Sequence, residues 1–407
     1  MVDDGILAPD GPAWKALVLE ATQKITSDTV TRLHNLALAG LPVIIAGEPG
    51  YYSRGSNCSE ERFRAELSAL RNENNVYSVT QGQVARKLND LGLHPQISSR
   101  NTSWYTTWRA CEASGRDYAF LLNDGSDSAG NATFTTTKRP FSLDPWTGQR
   151  TPVSHYILGD NSVTIPLVLA PNQVKVFVFE AGEHECHLTS APPSILATKL
   201  SKTEVVVHSH TVGEVSSSSG KRHALAPALS PFPLLDWNLT VSHWERPADL
   251  YDVETPASVR NTTHTLSSAI LPSWTEISGL EDVSGVGYYT ARFPWSSSNN
   301  MSGAYISFPP AAHAITVWVN GHRMPSPDHR APLLHATPYL QQGYNEVLAI
   351  VPSTMWNYLR TILADLRSAD EQASLITRLG GRLPSRLANG IIGKVEVIPY
   401  VEVEVKC

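Results

Sequence analysis

The sequence is poor in charged residues, in cysteine and in long apolar runs, and each shortage limits what the chain can do. Only 17% of its 407 residues are charged and the formal net charge is −6, so the basic surface that nucleic acids require is missing. No apolar run approaches the roughly 18 residues that cross a bilayer, and the N-terminus has neither the basic start nor the apolar core of an export signal. We expect no nucleic-acid partner and no membrane span.

Motifs for several common enzyme chemistries are also absent. The sequence contains no G-x-S-x-G nucleophile turn, no phosphate-binding P-loop and no G-x-G-x-x-G following a predicted strand. Serine-hydrolase, nucleotide and dinucleotide chemistry are therefore disfavoured. We predict no cofactor.

Cysteines are few, whereas N-x-[ST] sequons are frequent. The four cysteines (Cys58, Cys111, Cys186 and Cys407) fit either free thiols or two disulfides, and we predict a Cys58 to Cys111 bond. The six sequons, which indicate secretory ancestry, are predicted glycosylation sites at Asn57, Asn101, Asn131, Asn238, Asn261 and Asn300. With no export signal in the sequence, the compartment is left open.

Residues 1–100 alternate strand and helix patterns and predict an α/β domain, Rossmann-like or flavodoxin-like. Short apolar runs at 16–20 and 41–46 predict buried parallel strands. Between them Ser27 is a candidate helix cap, and Gly40 stands where a left-handed C-terminal cap belongs. Further helices are expected at 60–71 and 81–91. Residues 47–50 follow the second strand, where open α/β sheets place ligands, although a turn is the simpler interpretation.

Later residues change to short alternating segments that are typical of β-sandwiches. We predict a β-sandwich domain over 101–215, a serine-rich linker over 216–230 and a jelly-roll domain over 231–407. In the last domain the alternating strand 314–321 ends in Asn320-Gly321, which favours a tight hairpin, and 343–351 supplies a partner strand. Helical spacing of apolar residues over 358–378 predicts an inserted helix.

Together with 285–293, the strands at 314–321 and 343–351 resemble the galactose-binding-like jelly-rolls attached to large glycoside hydrolases. Further segments at 4–18, 39–47, 118–123, 144–148 and 389–395 are similar to the C-terminal, post-barrel region of α-L-rhamnosidases of glycoside hydrolase family 106, of fungal type. The resemblance covers nearly the whole chain. It implies a rhamnosidase-like protein without the catalytic barrel.

No catalytic glutamate of that family has a counterpart in this chain. A glycosidase of ordinary mechanism needs two carboxyl groups across the scissile bond, and no local motif marks such a pair. Asp144, Asp236 and Glu245 lie near aromatic residues, but Asp144 is expected in a turn and Glu245 at a strand edge. The catalytic residues, if there are any, stay unassigned.

Two histidine-rich stretches suggest metal ligands without completing a site. His184-Glu-Cys-His187 is better explained as a solvated loop, because zinc ligands usually converge from separated positions. His208 and His210 would share a strand face, yet no third ligand is evident. We predict no metal.

Aromatic residues are the remaining resource for binding a ligand, because flat rings could face a sugar or another apolar surface. The candidate ligand-binding residues are the tryptophans Trp104, Trp108, Trp146, Trp318 and Trp356, together with the adjacent polar residues Arg109 and Asn357. Each of them could instead have a core or structural role.

Three functions remain open. The first is a carbohydrate-binding or glycoside-binding relative of rhamnosidases that lacks the barrel. The second is a cofactor-free cyclase of the Diels-Alderase type in fungal secondary metabolism, since a cycloaddition needs a shaped pocket rather than an acid/base motif. The third is a non-catalytic structural fragment of a larger hydrolase. The sequence does not indicate the oligomeric state.

Overall fold

The computed structural model of the protein describes residues 1–53, 59–193, 195–201, 203–245, 249, 252, 254–256, 258–296, 301–363 and 382–407. Its contacts divide the chain into two compact units, Met1–Gln96 and Ile97–Cys407. The predicted subdivision of the second unit into a domain over 101–215 and another over 231–407 stays a prediction. No helix in the described part of the chain has both the length and the hydropathy of a membrane span.

The first unit contains a parallel three-stranded sheet in the order β3-β5-β7, beside two small two-stranded sheets. In chain order its elements are β1 Val2–Asp3, β2 Ile6–Leu7, β3 Leu17–Glu20, β4 Lys24–Ile25, α1 Ser27–Leu38, β5 Val43–Ala46, β6 Gly50–Tyr51, α2 Glu60–Arg71, β7 Val76–Val79, a 3-10 turn Gln81–Gln83 and α3 Val84–Asp90. Its assignment as Rossmann-like or flavodoxin-like stays a prediction.

Helix α1 follows the apolar pattern of the sequence, because Val30, Leu33 and Ala37 are buried on one face. Its cap differs from the expected residue. Thr26 is the N-cap, and its hydroxyl accepts a hydrogen bond from the backbone N–H of Thr29, whereas Ser27 is the first helical residue and is buried.

Residues 47–50 form a bend at Gly47 that leads into the short strand β6 at Gly50. Gly47 has φ +88°, in the left-handed region that favours glycine, and its backbone N–H donates to the carbonyl of Val79. The Arg71 guanidinium forms an ion pair with Glu48, and this hydrogen bond lowers the pKa of that carboxyl group. The Glu48 carboxylate of this loop is therefore paired within the protein.

The second unit begins with two antiparallel sheets that form a β-sandwich, of five strands in the order β13-β12-β16-β10-β9 and of four in the order β14-β15-β11-β8. Their strands are β8 Ile97–Ser99, β9 Trp104–Cys111, β10 Arg116–Asn123, β11 Ser128–Phe134, β12 Arg139–Leu143, β13 Arg150–Pro152, β14 Ile157–Gly159, β15 Ser162–Leu169 and β16 Val174–Glu180. Phe134, Phe177 and Phe179 fill the core between them.

The rest of the unit contains two larger antiparallel sheets and a small one. The strands are β17 Leu188–Ser190, β18 Ile195–Leu200, β19 Glu204–Ser209, β20 Gly213–Ser217, β21 Arg222–Leu225, β22 Phe232–Pro233, β23 Trp237–Glu245, β24 Ser258–Leu266, β25 Gly285–Trp295, β26 Gly303–Ser307, β27 Thr316–Val319, β28 His322–Arg323, β29 Leu333–His335, β30 Gly343–Pro352 and β31 Glu396–Lys406. Short 3-10 turns span Trp274–Glu276 and Thr337–Tyr339, and the helix α4 spans Trp356–Thr361.

One large sheet has the order β24-β23-β25-β30-β27-β28, and the other has the order β18-β19-β31-β26-β29 with β22 beside β31. Buried side chains of both, such as Tyr289 and Phe293 from one and Ile306 and Val397 from the other, share one core. The galactose-binding-like assignment of this region stays a prediction.

One expectation about a connecting segment needs correction, and a second falls mostly outside the described residues. Residues 216–230 are not wholly a linker, because β20 and β21 pair as a hairpin whose turn includes Gly220 at φ +83°. Strands β18 and β19, which precede that segment, also share a sheet with the final strand β31. Of the helix expected over 358–378, the structure describes helical residues only within α4, and 364–381 lie outside the described residues.

The disulfide in the structure joins Cys186 to Cys407, which are 221 residues apart in the sequence. The expected Cys58 to Cys111 bond is not formed, since Cys111 carries a free thiol, and Cys58 lies outside the described residues. The sheet pairing of β19 with β31 instead brings the end of the chain beside the segment that precedes β17.

The sequons differ in their exposure. Asn131, Asn238 and Asn261 lie on strands and are exposed, whereas Asn101 is half-buried and accepts a hydrogen bond from the backbone of Ser103. Asn57 and Asn300 lie outside the described residues.

Candidate functional site

A polar groove of about 310 Å³ lies where the β12–β13 hairpin and strand β16 meet the segment that leads into β29. The side chains that decide its chemistry are Ser142, Asp144, Trp146, Gln149, Lys175 and Asp328. Trp146 is the member of the sequence-based set of ligand-binding candidates that the structure places at this groove.

The hairpin turn presents Trp146 to the groove. Asp144 accepts hydrogen bonds at Oδ1 from the backbone N–H groups of Trp146 (2.8 Å) and Thr147 (3.3 Å), and Gly148 has φ +71°. An aspartate followed by a residue that tolerates positive φ stabilises such a turn. Asp144 is thus a turn residue, as its sequence context indicates.

Trp146 is about half exposed, at 51%. Its ring centroid lies 4.6 Å from that of His329, and the two ring planes are nearly perpendicular. This contact fixes the position of the tryptophan ring while leaving much of it open to solvent. The Nδ1 atom of His329 is buried and has no hydrogen-bond partner in the structure.

Asp328 forms a fixed polar wall of the groove. Its Oδ2 accepts a hydrogen bond of 2.7 Å from the buried amide of Gln173 and lies 4.0 Å from the ammonium group of Lys175. Its Oδ1 accepts from the backbone N–H of Arg330 at 3.0 Å. Both carboxylates of the groove, Asp144 and Asp328, already accept hydrogen bonds from their own surroundings.

The other tryptophan candidates have structural contacts. Trp104 is buried and donates from Nε1 to the hydroxyl of Ser128 at 2.8 Å, and Trp108 packs against Phe179 at 5.4 Å between centroids. Trp318 is half-buried on strand β27. The structure does not bring these residues together with Trp146 around one cavity.

The remaining candidates lie elsewhere. Trp356 donates from Nε1 to the carbonyl of Ser385 at 3.0 Å. Asn357 is fully buried and exchanges two 2.8 Å hydrogen bonds with the backbone of Leu387, which marks it as a structural residue. Arg109 is exposed on strand β9.

The histidine-rich stretch 184–187 packs around Tyr156 rather than forming a ligand set. The His187 ring stacks on the Tyr156 ring at 3.9 Å, and the Tyr156 hydroxyl lies 3.1 Å from Nδ1 of His184. Burial raises the pKa of Tyr156 to about 12 and lowers the pKa of His187. Cys186 of the same stretch is in the disulfide, and the described residues contain no group of three or more possible metal ligands.

His208 belongs to a network that the sequence did not reveal, because its partners lie on three distant strands. Its Nε2 lies 3.2 Å from a carboxylate oxygen of Glu402, and its Nδ1 lies 2.7 Å from the Tyr305 hydroxyl. An ionised carboxylate only accepts hydrogen bonds, so Nε2 carries the hydrogen and Nδ1 accepts from Tyr305. The ring also stacks on Tyr400 at 4.1 Å, and the Tyr400 hydroxyl lies 2.9 Å from Nε2 of His335.

The other two carboxylates considered from the sequence also have structural roles. Glu245 forms an ion pair with Arg260 of the neighbouring strand, and Asp236 precedes strand β23 with φ +54°.

The groove at Trp146 offers an aromatic ring, a cation, and amide and hydroxyl groups, and these groups are suited to binding a ligand.

Comparison with known proteins shows a similarity to a solved rhamnosidase structure. No protein-family model matches the chain, and no curated protein matches it. The structure of a rhamnosidase from Novosphingobium sp. PP1Y is similar over 97% of this chain with a TM-score of 0.56 and 17% sequence identity. This chain spans about a third of that enzyme, 34% of its length.

Two further similarities are too distant to carry an argument. A β-porphyranase of glycoside hydrolase family 86 from Bacteroides plebeius has a TM-score of 0.18 at 12% identity, over 95% of this chain and 63% of the enzyme. An anti-sigma factor domain-containing protein has a TM-score of 0.17 at 12% identity, over 58% of this chain and 79% of that protein. The similarity to the rhamnosidase structure confirms the expected resemblance at the level of fold alone: the chain has a glycoside-hydrolase-like fold, rich in antiparallel β-sheet.

Proposed function

We propose that this protein binds carbohydrate, or a glycosylated small molecule, at the Trp146 groove, and that it is related to the post-barrel region of family 106 rhamnosidases of fungal type. The observation that carries the proposal is the half-exposed Trp146 ring, held by His329 above a groove with a fixed carboxylate and a cation. The rhamnosidase-like fold of the chain supports the same assignment.

The chemistry of the groove suits a sugar. The weakly polar C–H face of a pyranose packs on an aromatic ring, while its hydroxyl groups need donors and acceptors at the rim. Trp146 supplies the ring, Lys175 and Gln149 supply donors, and Ser142 supplies a hydroxyl that can donate or accept. Because Asp144 and Asp328 already accept hydrogen bonds from the protein, we assign them to orienting the site rather than to cleaving a glycosidic bond.

Intrinsic fluorescence tests the proposal. A panel of monosaccharides and oligosaccharides, with L-rhamnose-containing members included, should contain at least one sugar that changes the tryptophan emission in a saturable manner. The Trp146→Ala variant should lose that change. A flat response of the wild-type protein across the panel would sink the proposal.

The two alternatives from the sequence keep the status of predictions. A cofactor-free cyclase requires turnover of an apolar substrate, and a non-catalytic fragment requires that no ligand binds. Neither the cavities nor the structural similarities favour one of them over carbohydrate binding.

A further inference from the structure

A second and larger groove, of about 690 Å³, adjoins the Trp146 groove and shares Ser142 and Lys175 with it. The adjacent strands β11 and β15 of the sandwich line it, and residues within 188–193 and 195–198 line it as well. Its volume falls within the range of roughly 300 to 1,000 Å³ that is typical of small-molecule sites.

The outer face of strand β15, which would be polar in a typical solvent-exposed strand, is apolar and lines the groove. Val163, Ile165 and Leu169 fill the sandwich core, so the alternation of the strand places Pro166 and Val168 on the outer face. Val168 is 62% exposed. An antiparallel sheet normally turns polar side chains to water, and a grouped apolar exposure marks a binding surface.

Other lining residues continue this apolar character. Leu188, Pro192 and Ile195 also line the groove. The uncharged polar groups of the lining include the amide of Asn131 and the hydroxyl groups of Ser154 and Thr198, which are hydrogen-bonded to each other. The groove therefore accepts an apolar body whose length runs along β15.

The charge of the groove is one-sided. Lys175 contributes an ammonium group, and no aspartate or glutamate is among the described residues that line this groove. His155 also lines it, but burial, and then the nearby His187, lower the pKa of its imidazole, which keeps the ring neutral near pH 7. At 4.0 Å, the contact of Lys175 with Asp328 is at the limit of an ion pair, so the ammonium group retains capacity for a second anion.

We propose that this groove binds a small amphipathic acid, with its apolar chain or ring along Val168 and its carboxylate at Lys175. Complementarity of charge selects the head group, and the apolar walls select the body. The site overlaps the Trp146 groove at Ser142 and Lys175, whereas its apolar wall at Val168 lies outside that groove.

Titration calorimetry with decanoate and decanol tests both parts of the proposal. Decanoate should bind the wild-type protein at least fivefold more tightly than decanol, because the alcohol lacks the charge that Lys175 pairs with. Lys175→Met should remove that difference and leave decanol affinity unchanged. Val168→Asp should weaken both ligands by about tenfold or more.

Val259→Asp is the matched control, because Val259 is 59% exposed on a strand of another sheet and lines neither groove. It should bind decanoate as the wild type does. Equal affinity for decanoate and decanol, no binding of either, or equal losses in the two valine variants would each overturn the proposal. Val168 lies outside the Trp146 groove, so Val168→Asp should leave the sugar response unchanged. A failure to bind decanoate together with an unchanged sugar response would contradict only the amphipathic-acid proposal.

Discussion

The side-chain amide of Asn320 donates a hydrogen bond of 2.7 Å to the side-chain carbonyl of Asn345, and this bond joins the β27–β28 turn to the start of β30. The side-chain carbonyl of Asn320 (Oδ1) in turn accepts a hydrogen bond of 2.8 Å from the backbone N–H of Glu346. Asn345 is buried and also bonds the backbone of Gln341 in both directions, at 2.8 Å each. The side chains of the two asparagines in the strand motifs therefore secure the fold.

Replacing Asn345 should destabilise the second unit substantially. Asn345→Ala removes the side-chain hydrogen bonds to Asn320 and to the backbone of Gln341 and Gly343, and we expect a loss of about 2 to 3 kcal/mol in the free energy of unfolding. Urea unfolding measures it, and Asn261→Ala, at an exposed strand position, serves as the control. A loss equal to that of the control would contradict the assignment.

Gly390 should not tolerate a side chain. It has φ +93°, and an added Cβ would lie 2.5 Å from Nε1 of Trp274 and 2.4 Å from the hydroxyl of Tyr289. Gly279 has a similar φ of +85° but nothing within 4 Å of the added atom. Both alanine variants lose about 1 kcal/mol for the left-handed backbone, and Gly390→Ala should lose at least about 2 kcal/mol more because the core is overpacked. Thermal unfolding distinguishes them, and equal melting temperatures would refute the argument.

The disulfide should contribute to stability. The Cys186→Ser, Cys407→Ser double variant removes a cross-link over 221 residues, and we expect it to lose about 2 to 4 kcal/mol. A reducing agent should lower the stability of the wild type to the same level. Cys111→Ser should have no such effect, because its thiol is free. Wild-type stability that does not respond to reduction would exclude the bond.

Stability should fall on mild acidification. Burial lowers the pKa of His208, despite the opposing effect of Glu402, so the folded state binds a proton less readily than the unfolded chain does. The stabilisation is complete above the unfolded value of about 6.5 and is lost as pH falls below it. His335, which packs beside His208, has its pKa lowered by burial too and acts in the same direction.

Urea unfolding at a series of pH values measures this dependence. His208→Gln should flatten the curve below pH 6.5, relative to the wild type, although it lowers stability at neutral pH. If the free energy of unfolding of the wild type increased as the pH was lowered from 6.5 to 5, the sign would be wrong for a histidine that the fold holds neutral.

Local patterns predicted the features that depend on neighbouring residues. The buried face of α1 follows from apolar spacing, and the Asn320-Gly321 turn follows from two residues that tolerate positive φ, observed at +50° and +78°. Contacts between distant segments were beyond such patterns. The Cys186 to Cys407 bond depends on the pairing of β19 with β31, which no local spacing reports.

The candidate site shows the same division. Trp146 could be chosen because it stands in a turn between Pro145 and Gly148, where a ring is exposed. Its neighbours His329 and Asp328 come from a segment far along the chain, and only the packed sheets bring them to the groove. Trp104 could not be separated from Trp146 by sequence alone, since both lie in polar surroundings, yet one is buried and the other is open.

Calorimetric titration of the sugar that gives the strongest fluorescence response tests the carbohydrate proposal most directly. Trp146→Ala should weaken binding at least tenfold, which is about 1.4 kcal/mol. Trp244→Ala, at a tryptophan of matching exposure (48% against 51%) that lies outside the groove, should bind as the wild type does. Wild-type affinity in the Trp146→Ala variant, or equal losses in both variants, would contradict the account.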